Sequence, residues 1–295
     1  MKITVYIFLI VVLFHHEICM ADRLLTFNAG LAKNYVAEYE IRRKIMAEQI
    51  RTVDADIICL QEVWIKKDVI MLIQQLGSKF NHSYYKHFNT IIPLAKSNGL
   101  LILSKYPLVE RKYIPYESFL FKRGALVATA LVDKKPFRIA CTHLTAMIYY
   151  IPYFGNFGDE ETEQTRQIQT LFAAEPNLDI ILGDFNSGPA QPPHIKAFAP
   201  APYFLILKKG YTSPITSLKP IPCTWCDRNT LAEEGYGELV IDHIFLKEHL
   251  KWNSTDLVLS NRLLIDGTTT YLSDHFGVTV DLDWPDKSRS KLPGE

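Results

Sequence analysis

The chain has 295 residues, 48% of them hydrophobic and 22% charged. That composition supports a large buried core and excludes an intrinsically disordered chain. Lys and Arg together number 32, as do Asp and Glu, so the formal net charge is zero. No basic block advertises a sequence-blind grip on a polyanion.

In chain order, the first segment has the pattern of an export signal. Lys2 gives the positive end, and Ile3 to Phe14 is an almost unbroken apolar run, short for a bilayer span. Cys19-Met20-Ala21 supplies small residues for cleavage, which predicts a signal peptide over 1–21, a mature start at Asp22 and a secreted product. An uncleaved anchor is the alternative.

Strand-like runs follow at Leu24–Asn28, Ile57–Gln61, Leu100–Ser104, Ala125–Val132, Phe137–Thr142, Leu178–Gly183, Ile241–Leu246 and Gly277–Leu282. Helical periodicity covers Tyr39–Val53, with Ile41, Ile45, Ile50 and Val53 near one face, and recurs over Val69–Phe80 and Glu161–Ala174. No helical pattern separates the strand runs between Leu100 and Thr142, which predicts an antiparallel or mixed sheet there. Residues 22–284 read as one domain and 285–295 as a polar, flexible tail.

Cleavage would leave four cysteines. Cys59 and Cys141 sit in apolar runs and read as buried thiols or small core residues. Cys223-Thr224-Trp225-Cys226 is half a zinc motif without a matching half, so in an exported chain a short-loop disulfide is expected. Asn81-His82-Ser83 and Asn253-Ser254-Thr255 fit the glycosylation sequon. Arg42-Arg43-Lys44 reads as a solvated helix face, although with Lys33 it could also contact phosphate.

Several strands end in polar residues that an ordinary strand end does not require: Asn28, Glu62, His143, Asp184 with Asn186, Asp242, and Asp274 with His275. Polar strand ends on one rim would build a single site. Glu62 is a hard oxygen ligand suited to Mg²⁺, against the plainer reading of a surface acid at a strand exit. Asn28 and the Asp184–Asn186 stretch are equally compatible with turn chemistry. An imidazole with a carboxylate behind it, as His275 with Asp242 would be, is a general-base arrangement. Asp242 also reads as a salt-bridged strand residue and His143 as a structural histidine.

Taken together and in this order, LLTFNAG, DIICLQEVW, NGLLILSKYPL, CTHLTA, ILGDFNSGP, IDHIFL and LSDHFGV resemble the endonuclease/exonuclease/phosphatase superfamily, which shares the deoxyribonuclease-I-like fold. The resemblance spans residues 23 to 283. It implies an α/β (α+β) fold, a four-layer sandwich of two packed mixed β-sheets flanked by helices. It also implies Mg²⁺ (or Mn²⁺)-dependent in-line hydrolysis of a phosphodiester. In that scheme Glu62 holds the metal with Asn28 beside it, and Asp274 contacts the metal or its waters. His275 takes the proton from an attacking water while Asp242 orients its ring. Asp184 positions the nucleophile, Asn186 donates to a phosphoryl oxygen, and His143 binds phosphate and assists the leaving oxygen.

The surrounding segments are most similar to the neutral sphingomyelinase-like branch. Asn98–Leu108, Lys122-Arg123-Gly124-Ala125 and Thr142–Ala146 carry that similarity. Met147–Phe157, with five aromatics and no charge, fits either a core-packed loop or a rim entering a lipid interface. A phospholipid membrane surface is therefore the expected substrate and no obligate protein partner is implied. Two alternatives remain: a secreted deoxyribonuclease-like endonuclease acting on nucleic acid, and a catalytically silent binding protein on the same fold. The Cys223–Cys226 segment departs from the sphingomyelinase branch and has a counterpart in secreted deoxyribonucleases. Inositol phosphatase activity is least compatible with export.

Overall fold

The structure is a computed structural model that describes residues 22–90, 96–118, 121–146 and 158–283. The predicted signal segment, the aromatic Met147–Phe157 run and the predicted tail lie outside the described residues.

Two six-stranded mixed sheets pack face to face. The first contains β1 (Asp22–Asn28), β2 (Ile57–Gln61), β3 (His82–His87), β4 (Ser97–Ser104), β11 (Lys251–Val258) and β14 (Gly277–Asp283) in the order β11-β14-β1-β2-β4-β3. The second contains β5 (Leu108–Pro115), β6 (Gly124–Val132), β7 (Lys135–His143), β8 (Ile180–Asp184), β9 (Tyr211–Thr212) and β10 (Asp242–Lys247) in the order β5-β6-β7-β8-β10-β9. A small hairpin joins β12 (Leu263–Ile265) to β13 (Thr268–Thr270) through Asp266-Gly267, both at positive φ, as a tight two-residue turn requires.

Helices α1 (Tyr39–Thr52) and α2 (Lys66–Leu76) cover the outer face of the first sheet. Helices α3 (Glu160–Ala174) and α4 (Pro200–Lys208) cover the second. The result is a four-layer α/β sandwich. None of the described helices is long and apolar enough to cross a membrane.

Strand alternation explains why the central strands are apolar throughout. Leu24, Ile57, Cys59 and Ile102 point into the space between the sheets, where they meet Leu126, Cys141, Ile180 and Leu182. Their neighbours Leu25, Ile58, Leu101 and Leu103 point outward onto Met46, Ile50, Leu72 and Leu76. On the second sheet Val127, Ile181 and Phe245 face outward onto Ile168, Leu171 and Ile206. Both faces of each sheet are therefore desolvated, at roughly 1.5–3 kcal/mol for each fully buried large aliphatic side chain.

Three sequence readings are corrected or shifted. Cys59 and Cys141 are joined in a disulfide rather than being free thiols, because β2 and β7 face each other across the interior with Cα atoms 5.4 Å apart. Arg42 is fully buried, so Arg42-Arg43-Lys44 is not a uniformly solvated face. Its guanidinium donates to the carbonyls of Ala37 (2.8 Å), Ala29 (3.3 Å), Gly30 (2.7 Å) and Leu272 (3.0 Å), tying the loop after β1 to the segment before His275. Arg43 pairs instead with the buried Asp68 carboxylate at 2.7 Å, and Lys44 with the exposed Asp266 at 2.6 Å. The buried face of α1 accordingly runs through Tyr39, Arg42, Met46, Ala47 and Ile50, and Ile41 and Ile45 are only partly covered. The Cys223–Cys226 disulfide is formed as expected, which removes both sulfurs as thiolate ligands.

Candidate active site

Strand register brings the polar ends together. β7 and β8 run parallel with His143 opposite Asp184, and β8 and β10 run antiparallel with Asp242 opposite Asp184 on its other side. In the first sheet β1 and β2 run parallel with Asn28 opposite Gln61, so Glu62 emerges one residue beyond. β14 runs antiparallel to β1, which places His275, two residues before Gly277, at the same end. All eight singled-out residues lie at this rim.

The contacts cross between the sheets. Asn28 Nδ2 donates to Asp184 Oδ2 at 2.9 Å. His275 Nδ1 lies 2.9 Å from Asp242 Oδ2, and its Nε2 lies 3.7 Å from Asp184 Oδ2. His143 Nε2 approaches the same Asp184 oxygen at 3.3 Å and Asn186 Nδ2 at 3.2 Å. The Asn186 backbone N–H donates to Asp184 Oδ1 at 2.9 Å. Glu62 (φ 57°) and Asn186 (φ 45°) both occupy the left-handed region, a local strain that tends to gather at working sites. Gly30 at φ 55° is confined from the other side: a Cβ there would stand 2.6 Å from Asp274 Oδ1.

The electrostatics separate the two histidines. Burial favours the neutral ring of His143, and Arg123 and His275 add repulsion, so its pKa lies well below the ordinary value. Arg123 can only donate, and its Nη1 lies 2.8 Å from His143 Nδ1, so that nitrogen accepts and the ring proton resides on Nε2, where Asp184 Oδ2 at 3.3 Å accepts it and the Asn186 amide nitrogen stands beside it as a second donor. Burial opposes the charge on His275 too. There Asp242, Asp184, the Asp242 hydrogen bond and Asp274 outweigh it and hold the pKa well above the ordinary value.

Among the carboxylates, burial followed by Asp274 raises Glu62 to about 7, and burial followed by Asp242 raises Asp184 to about 6. Among the described residues no hydrogen bond or ion pair reaches the Glu62 carboxylate. An acid crowded by a second acid, partly open to a cleft and without a donor, suits a hard divalent cation. Asp184, Asp242 and His275 also bring one ligand atom each within 4.8 Å of one another, a spacing compatible with a metal site.

The rim opens into a cavity of about 470 Å³. Glu62, Asp184, Asn186 and His275 line it together with aromatic side chains including Trp64, Phe121 and Trp225. Asn28 and Asp242 are fully buried behind them. Arg123 lies over the Trp64 ring at 5.7 Å and the Phe121 ring at 5.6 Å. Sequence reasoning noted Arg123 within a motif but gave it no role. Its signal was a cation just before β6, whose first residue, Gly124, pairs with His143. Trp225 stands edge-on to the His275 ring at 4.9 Å, a role that the disulfide spacing alone did not indicate.

The fold and the rim define a deoxyribonuclease-I-like sandwich with an acid-and-histidine centre. Residues 25–275 match the Endonuclease/Exonuclease/phosphatase family, and the chain belongs to it. The chain is 22% identical over 284 residues to a putative neutral sphingomyelinase of Drosophila melanogaster, covering 88% of this chain and 60% of that protein. It is 31% identical over 193 residues to the inositol phosphosphingolipids phospholipase C of Schizosaccharomyces pombe, covering 58% of this chain and 42% of that protein. The chain thus spans only three fifths or less of the length of these curated relatives. Among solved structures, sphingomyelinase C from Streptomyces griseocarneus superposes with a TM-score of 0.67 at 14% identity, covering 89% of this chain and 99% of that one. Likeness at that identity speaks to the fold alone.

Proposed function

We propose that this chain is a secreted, Mg²⁺- or Mn²⁺-dependent phosphodiesterase of sphingomyelinase type, which releases the headgroup of a phospholipid by in-line attack of water. The observation that carries the reading is the meeting of Asn28, Glu62, His143, Asp184, Asn186, Asp242 and His275 at one rim, with contacts of 2.9 Å from Asn28 to Asp184 and from His275 to Asp242.

Glu62, with Asn28 and Asp274 beside it, would hold the divalent cation. When bound, the cation supplies charge neutralisation at the phosphoryl group. The chain's own residues do the rest. Asp242 fixes the ring of His275 through Nδ1, leaving Nε2 to take a proton from water. Asp184, 3.7 Å from that Nε2, accepts from the same water and aligns it. Neutral His143 presents its Nε2–H, and Asn186 its amide, as donors to phosphoryl oxygens on which charge accumulates. Arg123 keeps His143 in the donating tautomer and adds a positive charge behind the phosphate.

The lipid assignment draws on the relatives named as sphingolipid hydrolases and on the aromatic cavity lining, which suits a substrate lifted from a bilayer better than a polyanion. Export is supported by the signal-like N-terminus together with two disulfides, one of them between the sheets.

The test is a side-by-side assay with Mg²⁺ and with EDTA, on sphingomyelin vesicles, inositol-phosphoceramide vesicles and plasmid DNA. EDTA-sensitive release of phosphocholine supports the reading. Nicking of plasmid without lipid turnover would replace it with a deoxyribonuclease-like one, and release from the inositol lipid alone would change the headgroup.

A further inference from the structure

We infer that the disulfide-closed loop Cys223–Cys226 is part of the catalytic apparatus, with Thr224 as the positioning residue that sets the Asp242–His275 pair. The inference rests on the hydrolase reading only for the rate it predicts; the positioning itself is geometric.

Asp242 and His275 come from different sheets, so no strand ladder fixes one against the other. Thr224 lies fully buried between them. Its Oγ1 accepts from the backbone N–H of Ile241 at 3.0 Å and of Asp242 at 3.1 Å. Its carbonyl accepts from the N–H of Phe276, the residue after His275, at 2.8 Å. One residue therefore holds the backbone of both partners. Asn229, three residues past the loop, continues the clamp by donating to the carbonyls of Ser273 (2.8 Å) and Asp274 (3.0 Å).

Two further observations make the anchorage matter. Among the described residues the second oxygen of Asp242, Oδ1, is buried without a hydrogen-bond partner, so no other donor there fixes the orientation of that carboxylate. Its place depends on its backbone, which the β8–β10 ladder holds on one side and Thr224 on the other. Trp225, next in the loop, stands edge-on to the His275 ring at 4.9 Å and so contacts the imidazole directly. The Cys223–Cys226 bond limits the conformations of the two residues that make these contacts.

A threonine hydroxyl has two acceptor lone pairs, and here two backbone N–H groups take them. Valine has the same shape and neither lone pair; serine keeps both. The experiment compares wild type, Thr224→Ser and Thr224→Val for kcat and KM on the lipid turned over by the wild type. It also follows the imidazole N–H resonance downfield of the amide region, assigned to His275 by its absence in His275→Gln.

We expect Thr224→Val to lose roughly 10²-fold in kcat, as misplaced catalytic groups do, with KM little changed and the downfield proton lost or shifted. Thr224→Ser retains both. If Thr224→Val does not fold, Thr224→Ala against Thr224→Ser carries the same comparison. An unchanged proton signal with intact kcat in the valine variant overturns the positioning role. If the wild type turns over no phosphoester while the signal still responds to Thr224→Val, the positioning stands and the hydrolase reading falls.

Discussion

Asn28 ends a strand of one sheet and donates to Asp184, which ends a strand of the other, at 2.9 Å. The His275–Asp242 contact also joins the two sheets. The site thus exists only while the two sheets keep their relative position. Cys59 and Cys141 fix that position: one lies three residues before Glu62 and the other two before His143, and their disulfide crosses the interior. Replacing both by Ala should lower stability by about 2–4 kcal/mol and reduce activity at temperatures well below the new melting point. A melting curve recorded beside an activity–temperature curve checks this. Two curves that move together by the same amount would argue for a purely global effect.

On the proposed mechanism the charge on His275 would set the pH dependence. As a base the ring works unprotonated, and its pKa is held above the ordinary histidine value by Asp242 and Asp184 against the opposing effect of burial. Activity should therefore rise with pH, its acidic limb lying above the usual histidine range. Asp242→Asn removes one of the raising charges, so the limb should shift to lower pH while the plateau rate falls by on the order of 10²–10⁴. A pH–rate profile of the two proteins decides it, and a limb that stays put in Asp242→Asn would rule out this pairing as the titrating unit.

In the proposed site Glu62 would tie metal binding to protonation. With no cation present its pKa is raised from 4.5 to about 7, chiefly by burial and next by Asp274. A raised acid pKa contributes stability below the unfolded value, and that contribution is lost as pH rises from 4.5 towards 7. Metal binding must displace the proton below about 7, so affinity should strengthen up to that pH and then level off. Thermal melts with and without Mg²⁺ should show a larger upward shift at pH about 8 than at about 5.5. Glu62→Gln should abolish most of the shift; a full shift in that variant would move the cation elsewhere.

On the proposed mechanism, Asn186 and Arg123 would act on the same phosphoryl group by different routes. Asn186→Ala removes an oriented donor and should cost on the order of 10²–10³ in kcat. Arg123→Met removes the partner of His143 Nδ1 together with a nearby positive charge. The His143 pKa, depressed first by burial and then by Arg123, should move upward. Imidazole resonances followed through a pH titration read this directly, and an unmoved His143 would separate the two residues electrostatically.

The limits of the sequence follow from where each element sits. All eight strands read from apolar patterning are interior strands: β14, β1, β2 and β4 of one sheet, and β6, β7, β8 and β10 of the other. The four edge strands β3, β5, β9 and β11 were missed. An edge strand borders the sheet on one side only, and β5 and β11 are largely exposed or half-exposed, so their residues carry little apolar signal. Helix α4, a short apolar run beginning Pro-Ala-Pro, has no polar face from which to read a helical period. The acids, amides and histidines of the site were legible because they interrupt buried strands. Arg42, Arg123, Thr224 and the Cys59–Cys141 bond were not, since each acts through partners distant in sequence.

The most direct measurement is turnover by purified wild type and His275→Ala on the best substrate of the lipid and DNA panel, at saturating Mg²⁺ and matched melting behaviour. A dyad histidine acting as general base predicts a fall of about 10²–10⁴ in the variant, insensitive to added substrate. Equal turnover by the two proteins would contradict the account at its centre.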